Sequence, residues 1–341
     1  MTLGHEGLRK FQVGLEGTST PGTAVAANTI IPGTFEGTPE MGIHMFEEHR
    51  GTMSRMVRDA AIKHDFSGRF SSVATYNQLA IFLNTCIDGT VAKADSGASS
   101  SWTYVVNPSA IDVPDTLTVE FGDNIQGFKA AYVFCSTIEL GLQFGGPLSL
   151  SAEMVGRFPE KTAFATVADP GDQRAIITDT LKVWIDTTWA NVGTTLMSNL
   201  VAGGSIRITN GFAPLRLGGG IDAAGRYNFT TVAQQKRDVI TIDLDLIVSD
   251  AMIAQMYDAY LARTDRSIRL KFEEGANSIE TGKSHYLNID AFGRWTNIQS
   301  LYTTADGLNA VRATFTSFDD GSNNEATITL RNKTAGSWDG T

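Results

Sequence analysis

The stretch GFKAAYVFCSTIELGLQFGGPLSLSAEMVGRF, residues Gly127–Phe158, decides the fold, because it has the pattern of two amphipathic strands joined by a turn. Apolar residues recur at every second position on both sides of the turn, at 138, 140, 142 and 144 and again at 148, 150, 152 and 154. A period of two predicts strands with one buried face and one face turned to water or to a partner. Gly145 and Gly146 permit a tight connection between them. The stretch therefore predicts a long β-hairpin.

The composition around this hairpin favours a mostly β protein with many turns. The chain has 341 residues, which suggests about two domains, and combines 34 glycines with only 19% charged residues. Its net charge of −10 argues against a basic nucleic-acid clamp. The two cysteines, Cys86 and Cys135, lie in apolar settings and are expected to be buried free thiols. Neither a signal peptide nor an apolar run of about 20 residues is found, which predicts a cytoplasmic protein without a membrane segment.

The same order of elements, strand, helix and three strands, is predicted twice. Thr75 followed by Gln78 is a capping-box pattern at the start of the first helix. The first set comprises His64–Val73, the helix Thr75–Ile87, Trp102–Asn107, Leu117–Phe121 and the hairpin. The second comprises Val239–Val248, the helix Asp250–Arg263, Ser267–Glu273, His285–Trp295 and Leu308–Phe318. This order predicts a structural repeat.

The other segments are predicted to be irregular. Thr18–Gly42 is rich in Gly, Thr and Pro and is expected to be an extended arm or loop, while Met53–Lys63 is a short helix or part of a loop. Residues 94–101 are expected to be a loop, and Lys161–Asp172 a linker. The fold prediction is therefore two tandem β-sandwich domains, 1–160 with the N-terminal arm and 161–341 with a C-terminal tail, each with one flanking α-helix.

The sequence predicts no catalytic residue, metal site or cofactor, and thus no enzyme. His44–His49 holds two histidines and two carboxylates, but their spacing matches no zinc pattern, so a polar loop is the preferred interpretation. Asp243 and Asp245 share a strand face, yet no general acid can be placed opposite them. Gly218–Gly220 is followed by Ile-Asp, not Lys-Ser/Thr, and predicts a turn.

Several passages together resemble the tail tube proteins of long-tailed bacteriophages. These are the opening Phe11–Gly17 followed by Thr20–Ala24 (TPGTA), the hairpin closing on Val155-Gly156-Arg157, and the final run from Asp306-Gly307-Leu308 to Asp319. The resemblance covers most of the chain. It implies β-sandwich domains, each with one helix, and six such domains in a ring that stacks into a tube.

By this resemblance, a chain of two domains would close a ring with three copies, a homotrimer, with a ring of six copies as the alternative. The rings would form the virion tail, assembled in the host bacterial cytoplasm and bound to other tail proteins at the tube ends. Double-stranded DNA would pass through the lumen without specific binding. The lumen-lining candidates are Glu139, Thr241, Asp243 and Asp245, unless the opposite sheet lines the channel. Thr18–Gly42 and Met53–Lys63 are expected to contact other subunits or rings.

Two other functions remain open at this point. A capsid decoration protein or an adhesin would share the β composition, but neither would be expected to have two matched strand-helix-strand sets. An enzyme is the third alternative, although no acid/base or nucleophile constellation supports it.

Overall fold

Antiparallel β-structure makes up most of the molecule. The computed structural model describes residues 4–17, 20–47, 57–87, 94–96, 99–106, 115–168, 173–197, 200–235, 239–275, 278–305, 307–322 and 325–333. Strands account for 58% and helices for 12%, and the described part has two helical segments apart from short 3-10 turns. The mostly β prediction is therefore confirmed.

Within these described residues, nineteen strands follow one another. They are β1 Lys10–Leu15, β2 Thr29–Ile30, β3 Thr34–Glu47, β4 Val57–Val73, β5 Ala94–Ser96, β6 Ser99–Val106, β7 Leu117–Gly122, β8 Gly127–Leu142, β9 Ser149–Arg157, β10 Glu160–Thr162, β11 Leu181–Asp186, β12 Val201–Thr209, β13 Phe212–Leu215, β14 Thr231–Gln234, β15 Val239–Ile247, β16 Arg266–Glu273, β17 Tyr286–Ala305, β18 Leu308–Ser317 and β19 Ala326–Asn332. Helix α1 spans Tyr76–Cys86. The second helical segment consists of α2 Asp250–Met252, a π-helical turn Ile253–Tyr257 and α3 Asp258–Ala262.

Eight strands form one continuous run in the order β3-β4-β9-β8-β12-β15-β18-β17. The run crosses the predicted domain boundary, because β8 pairs with β9 on one edge and with β12 on the other. One face of this run, the core face, carries buried apolar residues such as Leu140, Ile206 and Leu244. Along each strand, the side chains that alternate with these buried residues point to the opposite face, named here the polar face.

β8 and β17 are long enough to pair with strands outside the eight-stranded run as well as within it. The first residues of β8 pair with β7 and β10, and β7 continues to β1 and β2. The first residues of β17 pair with β16 and β19; β16 continues to β11, and β19 to β6 and β5. The hydrophobic core lies between these groups and the eight-stranded run.

The hairpin and both helices are confirmed. Gly145 adopts φ +81°, a conformation that favours glycine, in the turn between β8 and β9. Thr75 caps α1, since its side-chain oxygen accepts a hydrogen bond from the backbone N–H of Gln78 at 3.1 Å. Helix α1 is buried on almost every side, beyond the single apolar face that the sequence predicted. Both cysteines are buried, as expected.

Two segments predicted as arm and loop are strands. Residues 34–42 belong to β3, and the part of Met53–Lys63 from Val57 onward belongs to β4, which pairs with β3 from Val57 to Ser71. The predicted strand His64–Val73 is therefore only the second half of a longer strand. Residues 53–56 lie outside the described part. The error arose because strand pairing satisfied the backbone of a stretch whose Gly and Pro content had suggested a loop.

Smaller corrections concern the predicted loop and linker and a missed strand. Residues 94–96 and 99–101 are strand, whereas 97 and 98 lie outside the described part. The predicted linker begins within β10, and its residues 169–172 are also outside that part. The final strand β19 was missed although Ala326, Ile328 and Leu330 alternate with polar residues. It pairs with β6, and this pair joins the predicted halves in addition to β8–β12.

Candidate functional surface

The polar face of the eight-stranded run holds all four residues predicted from the sequence to line a lumen. Glu139 lies on β8 between the buried Ile138 and Leu140. Thr241, Asp243 and Asp245 lie on β15 between buried Ile240, Ile242, Leu244 and Leu246. Because β8 and β15 flank β12 in one sheet, these side chains share a face although about a hundred residues separate them in the chain.

Arginines on this face lie opposite carboxylates. Arg207 on β12 is in register with Glu139 on β8. Arg312 on β18 donates two hydrogen bonds to Asp245, at 2.6 Å from Nε and 2.7 Å from Nη2. This bidentate hydrogen bonding raises the pKa of the Arg312 guanidinium above its ordinary value. Each of these cations has a carboxylate neighbour that competes with an incoming phosphate.

The same arrangement recurs near the β3 edge of the run. Arg69 on β4 is in register with Glu36 on β3 and with Glu153 on β9. It also donates a hydrogen bond to Ser151 Oγ at 3.2 Å. The polar-face charges named so far are five carboxylates and three arginines, which sum to 3 − 5 = −2. The strand registers place Glu40, Lys63, Asp65, Arg157 and Arg294 on the same face, so the sum becomes −2 + 3 − 2 = −1. The face is therefore polar and close to neutral, with acidic and basic side chains interleaved.

Asp243 belongs to a hydrogen-bonded cluster at the other side of the face. Thr314 Oγ1 donates to its carboxylate at 2.5 Å, and the Gln299 side-chain amide donates at 3.4 Å. Asp243, Asp245, Gln299 and Arg312 line a shallow depression beside the end of β8. Within the described residues, no group of three or more His, Cys, Asp or Glu side chains is placed to hold a metal ion.

The β13–β14 hairpin covers one end of the polar face. Its Phe212 packs with Phe229, Val232, Tyr132 and Phe134 in a small core separate from the main one. Arg157 of the Val-Gly-Arg sequence fixes the hairpin: Nε donates to the Phe229 carbonyl at 3.1 Å and Nη2 to the Thr230 carbonyl at 3.3 Å. The guanidinium also lies 4.7 Å from the centre of the Tyr132 ring.

The buried Glu16 carboxylate connects several chain segments next to this small core through hydrogen bonds. Glu16 accepts hydrogen bonds from Thr116 Oγ1 at 2.6 Å, Thr118 Oγ1 at 2.8 Å, Gly22 N at 2.7 Å and Tyr132 N at 2.9 Å. Tyr132 has φ +56°, which is costly for a residue other than glycine. The hydrogen bond that the Tyr132 backbone N–H donates to Glu16 helps to hold this conformation. The conformation places the Tyr132 ring under Arg157.

The far end of the β3–β4 pair is apolar. Here 41–47 pairs with 57–63, and Met41, Ile43, Met45, Phe46 and Ile62 are exposed. We name this segment the distal hairpin. His44 lies within it, exposed and edge-on to Phe46 at 4.7 Å, so the predicted polar loop is a strand at this position. His49 is outside the described part.

Sequence reasoning missed Arg207 and Arg312 as members of the polar face. Each alternates with buried residues, Arg207 with Ile206 and Ile208 and Arg312 with Val311 and Ala313, so the period of two was available as a signal. Their carboxylate partners, however, lie on other strands, and the pairing could not be read from the sequence.

Neither the protein-family models nor the curated proteins compared with this chain match it. In the part of the chain that the structure describes, no helix has the length and apolar character needed to cross a membrane.

Proposed function

We propose that this protein is a structural virion protein without enzymatic activity. Three copies join head to tail into a closed ring, and rings stack into the tail tube of a long-tailed bacteriophage. The tube delivers the genome into the host. The protein contacts its own copies, other tail proteins at the tube ends, and double-stranded DNA that passes without specific binding.

The repeated strand order within the eight-stranded run carries the proposal. Residues before the predicted boundary supply β3-β4-β9-β8, and residues after it supply β12-β15-β18-β17. In each set a helix follows the second strand, and a long strand and its hairpin partner complete the set. The first two strands are consecutive in the first set, whereas in the second set the β13–β14 hairpin lies between them in the chain. The two sets thus correspond strand by strand, in the same direction along the sheet, which supports two tandem domains of one topology.

The β8–β12 pair is a head-to-tail contact between these sets, and the two outer edges of the run match it. In the described residues, β3 has β4 as its only paired strand, and β17 beyond Gly293 has only β18. Since β3 corresponds to β12 and β17 to β8, β17 of one copy can take β3 of the next. A contact of this type closes into a ring when the rotation fits, and closure removes both exposed edges.

The polar face supports a channel for DNA. Its arginines lie beside carboxylates, and its charges nearly cancel. A wall of this kind has no excess of cations to retain phosphate. In this proposal Glu139, Thr241, Asp243 and Asp245 face the lumen, and the helices lie on the opposite side of the core.

Electron microscopy of the purified protein, with mass measurement, tests the proposal. We expect rings with a central hole or stacked tubes, and a ring mass of three times 36.7 kDa. Rings of six complete chains would contradict the three-copy arrangement. A protein that stays monomeric at all concentrations, with no ring on any grid, would contradict the function.

A further inference from the structure

The distal hairpin carries the largest group of neighbouring exposed apolar side chains among the described residues. The exposed fractions are 50% for Met41, 50% for Ile43, 64% for Met45, 44% for Phe46 and 56% for Ile62. These residues lie on one two-stranded ribbon. Ile43 and Met45 share one face of the ribbon and Phe46 lies on the other, because side chains alternate along a strand. A group of exposed apolar side chains of this kind marks a surface that another protein covers.

The chain contains an internal counterpart of the distal hairpin. β3 and β4 correspond to β12 and β15 in the repeated order, and the connection between β12 and β15 holds the β13–β14 hairpin. Aligning the strand registers matches Gly42 with Gly211 and Ile43 with Phe212. Phe212 is only 7% exposed, because its hairpin lies on the neighbouring set of strands. Ile43 has no such cover within the described part of its own chain.

The surface under β13–β14 has a counterpart in the second set. Both long strands bulge at the same step, β8 between Cys135 and Thr137 and β17 between Trp295 and Asn297. Matching these bulges aligns the covered residues Tyr132, Phe134, Val155 and Arg157 with Phe292, Arg294, Thr316 and Phe318, in that order.

That counterpart also combines aromatic rings with a guanidinium, that of Arg294, which is paired with Asp265. Phe292 meets Phe318 edge-on with ring centres 5.7 Å apart, and the Arg294 guanidinium lies 5.5 Å from the centre of the Phe318 ring. The Arg294 side chain is 38% exposed, and Phe318 and Thr316 are partly exposed. In the first set, a cation over an aromatic ring marks the place where the hairpin docks; here the same pair of groups remains accessible.

We propose that the distal hairpin of one copy packs on the Phe292–Arg294–Phe318 patch of the next copy in the ring. The occupant is a second copy of this chain, because the chain already makes the equivalent contact internally. The inference rests on the proposed head-to-tail ring and adds a specific interface to it. Methionine side chains suit such a contact, since thioethers pack favourably on aromatic rings.

Cross-linking tests the interface directly. Ile43→Cys and Thr316→Cys are combined in the full chain, and a short bis-maleimide is added to the assembled protein; both native cysteines are buried. We expect covalent dimers and trimers on a denaturing gel. Ile125→Cys with Thr316→Cys is the matched control, because Ile125 is 51% exposed and lies in the turn between β7 and β8, outside the distal hairpin. This control is expected to remain monomeric.

Charge substitution gives an independent measurement. Ile43→Asp with Met45→Asp changes two exposed side chains, so we expect an unchanged circular dichroism spectrum and at least a tenfold higher concentration for half-assembly. Ile125→Asp is expected to assemble like the unaltered protein. Normal ring formation by the Ile43→Asp, Met45→Asp variant would refute this interface alone. Rings of the Ile43→Cys, Thr316→Cys variant that give no cross-link would do the same. Failure of the unaltered protein to form any ring would refute the ring and the interface together.

Discussion

Arg157 offers the sharpest test of how the β13–β14 hairpin is held. Its guanidinium donates to the carbonyls of Phe229, Thr230 and, at 3.2 Å from Nη1, Gly22. It also lies 4.7 Å from the Tyr132 ring centre and 5.7 Å from that of Phe229. A single side chain therefore joins β9, the hairpin and the loop at Gly22. Arg157→Ala removes these contacts at once.

The expected cost follows from those contacts. A hydrogen bond from a charged donor contributes about 1.5–3 kcal/mol when well buried, and less here because Arg157 is partly exposed. A cation over a ring adds about 0.5–2 kcal/mol. Since water replaces part of the hydrogen bonding in the variant, we expect Arg157→Ala to lower the free energy of unfolding by about 2–4 kcal/mol. Arg157→Lys keeps the charge but loses the planar fork, and is expected to lose about half as much.

Urea unfolding followed by tryptophan fluorescence measures this loss. Arg331→Ala is the control: its guanidinium lies 4.6 Å from the Tyr286 ring centre, and among the described residues it donates to no carbonyl. Its expected cost is about 1 kcal/mol or less. Limited proteolysis within 216–230 should accelerate only in the Arg157 variants. A loss for Arg157→Ala no larger than that for Arg331→Ala, with unchanged proteolysis, would refute the role assigned to Arg157.

Two further predictions concern carboxylates. Burial opposes ionisation of Asp186, but hydrogen bonds from Thr194 and Thr195 outweigh it and lower its pKa; Asp186→Asn should therefore lower the free energy of unfolding at pH 7 by about 2 kcal/mol. This difference from the unaltered protein should shrink as pH falls from about 4 through the lowered pKa; a constant gap would contradict it. Asp243→Lys with Asp245→Lys changes each three-copy ring by 3 × 4 = 12 charges and should slow genome ejection in a salt-dependent way. Asp250→Lys with Asp258→Lys, on the helical segment, is the matched control; equal ejection rates for both pairs at every salt concentration would contradict a lumenal position.

Local chemistry made several elements predictable. The alternation from Ile138 to Met154 needs only the two-residue period of a strand, and the turn needs only a glycine at Gly145. The Thr75 cap requires an oxygen within reach of a backbone N–H three residues ahead. These interactions join residues close in the sequence, and the sequence predicted them. The polar-face positions of Glu139, Asp243 and Asp245 follow from the same alternation.

The partners of these strands were not predictable in the same way. The sequence of β3 contains Gly and Pro residues and is compatible with a loop. Only its pairing with β4 shows that these residues belong to a strand. The pairs β8–β12 and β6–β19 join residues about 65 and 230 positions apart. No local pattern encodes which edges meet, because any strand edge offers the same backbone donors and acceptors.

The amino-acid sequence by itself determined the β8–β9 hairpin, the two helices and the polar-face positions of Glu139, Thr241, Asp243 and Asp245. The tertiary structure decided which carboxylate lies beside Arg207 or Arg312, how the two sets of strands join, and that Phe212 is covered while Ile43 is exposed. The physical reason is that side-chain direction depends on neighbouring residues in the chain. Strand order, in contrast, depends on which distant surfaces bury the most apolar area and leave the fewest backbone groups unpaired.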